Sequence, residues 1–376
     1  MSANPLFELR ATGQAVWLDY VDRTLLQTGE LARRIREDAL TGMTSNPTIF
    51  EKALSEGTEY DAQIAAVAGD LSPAELFELI ETDDVRAACD IFADVFATTR
   101  GTDGFVSIEV SPGQADDTRQ TIGEAHRLWA TVGRPNVMVK VPGTVAGAKA
   151  VRQLIAYGVN VNITLLFSIE AHARVIDAYM AGLEARLTAG QPIEGLSSVA
   201  SFFVSRVDTE VDKRLDALAA QATGRDRDRI LALRGKAAIA NAKRAYRLFR
   251  DQFSTTRWKA LAAKGARVQR PLWASTSTKN PAYRDVMYVE ELIGPDTVNT
   301  MPPATIDAFR DHGVVARTVD ANLEAADRHI AELERLGISM DEVTAKLLVD
   351  GIASFQKSFD SLVQGLERKA AQLVRL

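Results

Sequence analysis

The chain has little cysteine and little histidine, and each scarcity excludes something. Cys89 is the only cysteine. It cannot form an internal disulfide, which fits a reducing compartment. Val85, Cys89 and Phe92 fall at helical spacing, so this thiol reads as a core side chain. The four histidines are His126, His172, His312 and His329. None pairs with another at i, i+4, none falls on an expected strand, and no Cys/His cluster exists, so no metal centre is expected. They read as surface or helix residues. No Gly-x-Gly-x-x-Gly follows a strand, and neither Gly-x-Ser-x-Gly nor a phosphate-binding Gly-Lys-Ser occurs. The usual signatures of dinucleotide binding, serine hydrolysis and P-loop chemistry are therefore missing. No apolar run is long enough to span a bilayer. The segment from Met1 to Arg10 lacks the charged-then-apolar pattern of a signal peptide. A cytoplasmic protein with no membrane partner is expected. Positive charge is not in surplus either: the formal net charge is −6, against a general nucleic-acid or membrane-surface binder.

What is present is enough material for a large core: 376 residues, 46% hydrophobic and 25% charged, as one big α/β domain or two smaller ones. Residues 14–20 form a candidate first strand, with Asp19 near its end. A second short strand ends in Gly42-Met-Thr-Ser-Asn-Pro-Thr48. Further strands are expected at 105–110, 136–142, 159–164, 198–203, 271–275 and around 297–300. Between them lie helical stretches at 27–40 and 51–100, the latter with an amphipathic segment opening at Asp83. Another helix runs between a Thr144 N-cap and a Gly158 stop. Ser168 caps the next, and two charged helices occupy roughly 205–222 and 226–252. From about Val319 onward the chain reads as helical throughout. No low-complexity linker or internal repeat divides it, so residues 1–376 are expected to form one domain. Strands alternating with helices imply parallel crossover units. The expected fold is α/β, an eight-stranded (β/α)₈ TIM barrel with extra helices, including a helical C-terminal extension. An open doubly wound sheet is the alternative, but it lacks its glycine fingerprint.

The strand Asn136-Val-Met-Val-Lys-Val-Pro142 organises the chemistry. Side chains along a strand alternate faces, so valines on one face leave Met138 and Lys140 on the other. A lysine aimed into a protein interior is disfavoured as an ion, and the neutral amine is a nucleophile towards carbonyls. By itself Lys140 reads as a strand-end lysine that reaches water. The other strands alter that reading. Asp19, Glu109, Lys140, Asn162 and Thr164 all lie near the carboxyl ends of strands that are aliphatic on their other face. In a barrel such ends converge on the catalytic face. An inward amine, two acids and several amides point to Schiff-base chemistry on a carbonyl compound, with no cofactor and no metal.

Five segments, in this order and spacing, resemble the transaldolase family: Thr44-Ser-Asn-Pro47, Ser107-Ile-Glu109, Val139-Lys-Val-Pro142, Asn162-Ile-Thr-Leu-Leu-Phe-Ser168 and Ser201-Phe-Phe-Val-Ser-Arg206. The length and the long C-terminal helices look like the longer bacterial subgroup. The resemblance implies a Schiff-base enzyme of the pentose phosphate pathway that transfers a dihydroxyacetone unit between sugar phosphates. It implies Lys140 as nucleophile on the keto carbon, and Glu109 with a water held by Thr164 as proton shuttle. Asp19 would be the general base on the C4 hydroxyl. Asn46, Asn162 and Ser201 would hold the three-carbon unit, although Asn46 beside Pro47 also fits plain turn chemistry. Arg206, Ser277 and Lys279 would bind the phosphate. Here the chain has Ser277-Thr-Lys-Asn280 where a common family pattern is Ser-Phe-Arg-Asn, so a point charge replaces a planar fork. A Schiff-base aldolase releasing free dihydroxyacetone and an inert sugar-phosphate-binding barrel are the other readings. A monomer or homodimer is expected.

Overall fold

A computed structural model of the chain describes residues 4–67 and 69–373. Eight strands, β1 (Gln14–Asp19), β2 (Leu40–Thr44), β3 (Phe105–Glu109), β4 (Val137–Pro142), β5 (Val161–Leu166), β6 (Ser198–Phe203), β7 (Arg270–Ala274) and β8 (Thr297–Met301), close into a barrel in chain order. Every neighbouring pair is parallel, including β1 with β8. The (β/α)₈ expectation is met, and the open-sheet alternative is excluded by the closing pair. Parallel strands need covering on both faces. Helices cover the outside, and the side chains of Trp17, Met43, Phe105, Met138 and Trp273 are buried with the strands that carry them.

Register builds the site before any loop is considered. Glu109 pairs with Lys140 and Lys140 pairs with Asn162 across β3, β4 and β5. Asp19 pairs with Thr44 across β1 and β2. One wall position demands a glycine for want of space: a Cβ on Gly42 would stand 2.5 Å from the Trp17 ring. The Trp17 indole N–H is anchored in turn by Asp103, at 2.8 Å.

The expected helices differ in their boundaries. The 27–40 stretch is two short helices, Arg23–Gln27 and Glu30–Glu37, and Leu40 already belongs to β2. Asp83 does not open a helix. It lies inside Pro73–Ile91, which starts earlier because Ser72 and Glu75 form a reciprocal capping box ahead of Pro73. The 226–252 stretch divides into Gly224–Leu231 and Ala237–Gln252, with Gly235 at φ 71° in the break. The tail is likewise not continuous: Leu323–Arg335 and Met340–Leu373 are separated at Gly337, φ 80°. Strand β5 starts two residues later than expected. Asn160 instead ties the strand bottoms, donating to the Pro135 and Val137 carbonyls and accepting from the Ser197 N–H. At its other end β5 runs on through a bulge at Leu165, a non-glycine residue at φ 56°.

The 34-residue C-terminal helix, Met340–Leu373, packs against the helices Pro47–Glu56, Pro73–Ile91 and Ser205–Ala219 and against β5. It therefore lies along the carboxyl-end mouth of the barrel. Cys89 is buried, as its spacing implies, and burial pushes its thiol pKa up. His172 is more interior than expected. It is fully buried against the Phe202 ring, and burial lowers its pKa to about 4, so it is a neutral core side chain. No helix among the described residues is long and apolar enough to cross a membrane.

Candidate active site

The strand ends open into a cavity of about 570 Å³. Eight of the ten residues expected at the site line it: Asp19, Asn46, Lys140, Thr164, Ser201, Arg206, Ser277 and Lys279. Glu109 and Asn162 stand one layer behind, each bonded to a residue that lines it.

Lys140 is held from two sides. Its Nζ donates to Glu109 Oε2 at 2.9 Å and to the Ser45 carbonyl at 2.6 Å. The two side chains are only 8% and 4% exposed, so this is a buried ion pair rather than a solvated strand end. The other carboxylate oxygen of Glu109 accepts from Thr164 Oγ1 at 3.3 Å. The bulge at Leu165 follows Thr164 directly, where the strand re-aims its side chains. Amine, acid and hydroxyl thus form one connected line across three strands.

Asp19 occupies another part of the same cavity. Thr44 Oγ1 donates to Asp19 Oδ1 at 2.7 Å and, its one proton so used, accepts from Thr300 Oγ1 at 2.7 Å. Part of Asp19 faces the cavity, but the surrounding protein still strips most of its solvation. Burial raises its pKa, opposed by the Thr44 hydrogen bond and then by the charges of Lys140, Lys279 and Arg206. A carboxylate with raised proton affinity is a better base near neutral pH.

Asn46 does two things. Its carbonyl oxygen caps the helix Pro47–Glu56 by accepting from the Ile49 N–H at 3.1 Å, the expected turn chemistry, while the residue also lines the cavity. Asn162 is fixed by neighbours: Ser201 Oγ donates to its oxygen at 2.6 Å, and its amide donates to Ser107 Oγ at 3.0 Å. At the expected phosphate end, Lys279 Nζ donates to Ser277 Oγ at 2.9 Å. The Arg206 guanidinium stands 5.3 Å from the Phe203 ring centre and 5.8 Å from that of Phe355. Stacking between two rings holds a guanidinium in one plane without consuming its donors. Lys52 also lines the cavity. With Lys140 already paired to Glu109, the positive charges of Arg206 and Lys279 at the opening still suit an anionic ligand.

Sequence reasoning missed several contributors. Thr44 sits in a quoted segment but received no role, since its partner Asp19 is far away in the chain. Ser45 contributes a backbone oxygen, which residue identity does not advertise. Phe355 comes from the C-terminal helix, and only its apolar spacing would single it out. Phe203 lies two residues after Ser201 in the last of the five family-like segments, where its sequence gives it no role.

Comparison with known proteins agrees with this architecture. Residues 16–366 match the transaldolase/fructose-6-phosphate aldolase family. A protein of Trichodesmium erythraeum named transaldolase is 47% identical over 377 residues, covering 99% of both chains. One of Nostoc sp. named transaldolase 2 is 47% identical over 380 residues, again covering 99% of both. A transaldolase of Thermobifida fusca is 48% identical over 373 residues, covering 98% of both. Strand register, a lysine paired to an acid at the barrel mouth and full-length similarity agree, and the chain belongs to the transaldolase/fructose-6-phosphate aldolase family.

Proposed function

We propose that the protein is a transaldolase, moving a dihydroxyacetone unit from a ketose phosphate to an aldose phosphate through a Schiff base on Lys140. The supporting observation is the buried Lys140–Glu109 pair, whose lysine lines the same pocket as Asp19. Sedoheptulose 7-phosphate or fructose 6-phosphate would be the donor, and glyceraldehyde 3-phosphate or erythrose 4-phosphate the acceptor.

Glu109 takes a proton from the Lys140 ammonium, and the freed amine attacks the keto carbon. The carbinolamine oxygen takes a proton from the nitrogen through a water beside Thr164. Glu109 then returns its proton to the departing hydroxyl, the C–O bond breaks, and the nitrogen lone pair closes the iminium. Asp19 removes the C4 hydroxyl proton. The C3–C4 bond breaks, its electrons pass into the iminium to give an enamine, and the aldose product leaves. The enamine attacks the carbonyl of an incoming aldose phosphate, and Asp19 gives its proton to the new alkoxide. Hydrolysis of the iminium reverses the opening steps. Asn46, Asn162 and Ser201 hold the three-carbon unit. Arg206, Ser277 and Lys279 bind the phosphate by charge and hydrogen bonds. Lys279 supplies a point charge, and Arg206 supplies the planar fork. The same reading takes the protein as a cytoplasmic monomer or homodimer without nucleic-acid or membrane partners.

Borohydride reduction with fructose 6-phosphate, followed by mass spectrometry, tests the reading. A reduced adduct on Lys140 is expected, and its absence in a folded, saturated sample overturns the proposal. A coupled assay with erythrose 4-phosphate separates transfer from aldol release. Free dihydroxyacetone formed equally fast without acceptor would reassign the protein as an aldolase.

A further inference from the structure

The loop that carries Ser277 and Lys279 leaves β7 at Ala274 and runs to the short helix Met287–Glu290. Lys279 is exposed, so its ammonium is placed by the backbone beneath it rather than by close packing. Both ends of that backbone are held by the helix Ser205–Ala219, which also carries Arg206.

At the near end, Ser275 stands at φ 56°, in the left-handed region that a non-glycine residue occupies at a cost. Such a conformation persists where the surroundings over-determine it. The Ser205 N–H donates to the Ser275 carbonyl at 3.0 Å, and the two hydroxyls are 2.9 Å apart. The next residue, Thr276, donates to Asn299 Oδ1 on β8 at 2.9 Å.

At the far end two aspartates of the helix, at i and i+4, each accept in the same way. Asp208 takes the Ala238 N–H at 2.8 Å and the Tyr288 hydroxyl at 2.8 Å. Asp212 takes the Gly235 N–H at 2.9 Å and the Tyr283 hydroxyl. Tyr288 is buried and ties down the short helix, whereas Tyr283 is half-buried and belongs to the loop itself. Gly235 makes room for the Tyr283 ring: a Cβ there would stand 2.7 Å from it. The turn between Lys279 and Tyr283 is closed by Asn280. Its side-chain oxygen accepts from the Ala282 N–H at 3.0 Å, and its carbonyl accepts from the Tyr283 N–H at 3.0 Å. Lys279 therefore stands at the start of a closed turn whose end is bonded to Asp212. A cavity of about 330 Å³ lies here, lined by Asp212, Tyr283 and Lys279. Lys279 also lines the sugar cavity, so it forms part of the partition between the two.

We propose that Tyr283 and Asp212 are positioning residues for phosphate recognition, their contact fixing Lys279 of the loop relative to Arg206 of the helix. Arg206 and Asp212 belong to one rigid helix, so a tie to Asp212 is a tie to Arg206. A lysine brings a point charge on a flexible stem and no planar fork. Its contribution to a two-cation grip therefore depends on where the loop holds its Cα. Without the far tie the loop is fixed only at Ser275 and Thr276 on this side of the lysine, and part of its population places Lys279 away from Arg206. Apparent affinity for the phosphate falls by that fraction.

The proposal rests on the transaldolase reading and acts through the phosphate end. The test is steady-state turnover of fructose 6-phosphate and of unphosphorylated fructose by wild type, Tyr283→Phe, Lys279→Met and the double variant. Tyr283→Phe removes one hydroxyl and keeps the ring beside Gly235. Its KM for fructose 6-phosphate should rise roughly three- to tenfold, the loss of one half-buried hydrogen bond expressed as a lower competent fraction. Its kcat with that sugar and its turnover of fructose should be unchanged. Once Lys279→Met has removed the ammonium, adding Tyr283→Phe should raise KM no further, a silence that general loosening of the fold would not produce. Asp212→Leu removes the acceptor instead and should give the same pattern, so it decides if Tyr283→Phe does not fold. An unchanged KM in Tyr283→Phe, an equal loss on fructose, or an undiminished further rise on top of Lys279→Met overturns the positioning role. Lys279→Met with a wild-type KM for fructose 6-phosphate overturns the phosphate assignment instead, and lack of any Lys140 adduct in the wild type overturns the enzymatic reading, so the failures are distinguishable.

Discussion

Replacing Lys140 by methionine should destabilise the barrel as well as silence it, and a second substitution should repair only the stability. Lys140 Nζ and Glu109 Oε2 are 2.9 Å apart. At an effective dielectric of ~20, two unit charges at that separation attract by roughly 6 kcal/mol. Desolvating two ions costs several kcal/mol each, so the pair as a whole is near balance. Removing one member loses the attraction but leaves the other's desolvation in place. Breaking a buried pair costs about 3–5 kcal/mol, while replacing both ions by neutral groups is often neutral or stabilising. Lys140→Met should sit near the lower figure, because Thr164 still donates to Glu109. Lys140→Met/Glu109→Gln should return to within about 1 kcal/mol of wild type. Urea unfolding of the four proteins of this cycle, compared at their midpoints, measures the coupling. Both lysine variants should form no borohydride adduct. Lys140→Met as stable as wild type, or a double variant no better than the single one, would refute the idea of a desolvated pair.

Asp19→Asn should still form the Lys140 adduct but lose cleavage by about 10²–10⁴-fold, the usual contribution of a general base; adduct trapping against coupled turnover separates the two. The same variant should be more stable than wild type at neutral pH. Because burial raises the folded-state pKa of Asp19, the folded protein holds more protons than the unfolded chain between the two pKa values, and wild-type stability falls as pH rises through that window. The thermal-melt advantage of Asp19→Asn should therefore shrink as pH falls from the raised value of Asp19 towards the ordinary aspartate value, and an advantage that grows over that interval would contradict the sign. Lys279→Met should raise KM for fructose 6-phosphate roughly ten- to a hundredfold, the range for one charged hydrogen bond, while leaving unphosphorylated fructose unaffected. Equal loss on both sugars would remove Lys279 from the phosphate end. Gly42→Ala should cost about 1–3 kcal/mol as overpacking against Trp17, read as a urea midpoint shift.

The strands were legible because each carries an aliphatic face that repeats every second residue and a polar group at its carboxyl end. That pattern belongs to the barrel as a whole, so it survives ignorance of every loop. The helix boundaries were less legible because they depend on single residues. Ser72 with Glu75 starts a helix ten residues ahead of Asp83, and Gly235 and Gly337 break stretches whose composition is uniformly helical. Site residues that act through side chains at strand ends, such as Lys140 and Asp19, could be named from the chain. Ser45 could not, because it contributes a carbonyl. Phe355 was hidden by distance: more than 140 residues of chain separate it from the arginine it stacks on.

That last separation has a temporal side. The final strand ends at Met301, so a growing polypeptide can complete its entire β-barrel while still tethered to the ribosome. It would then lack Phe355, and with it one ring of the pair that steadies Arg206. On the proposed reading of Arg206 as a phosphate ligand, the grip on a phosphorylated sugar is acquired only after the barrel itself is complete, and a product terminated just after β8 would be a barrel with an unfinished mouth.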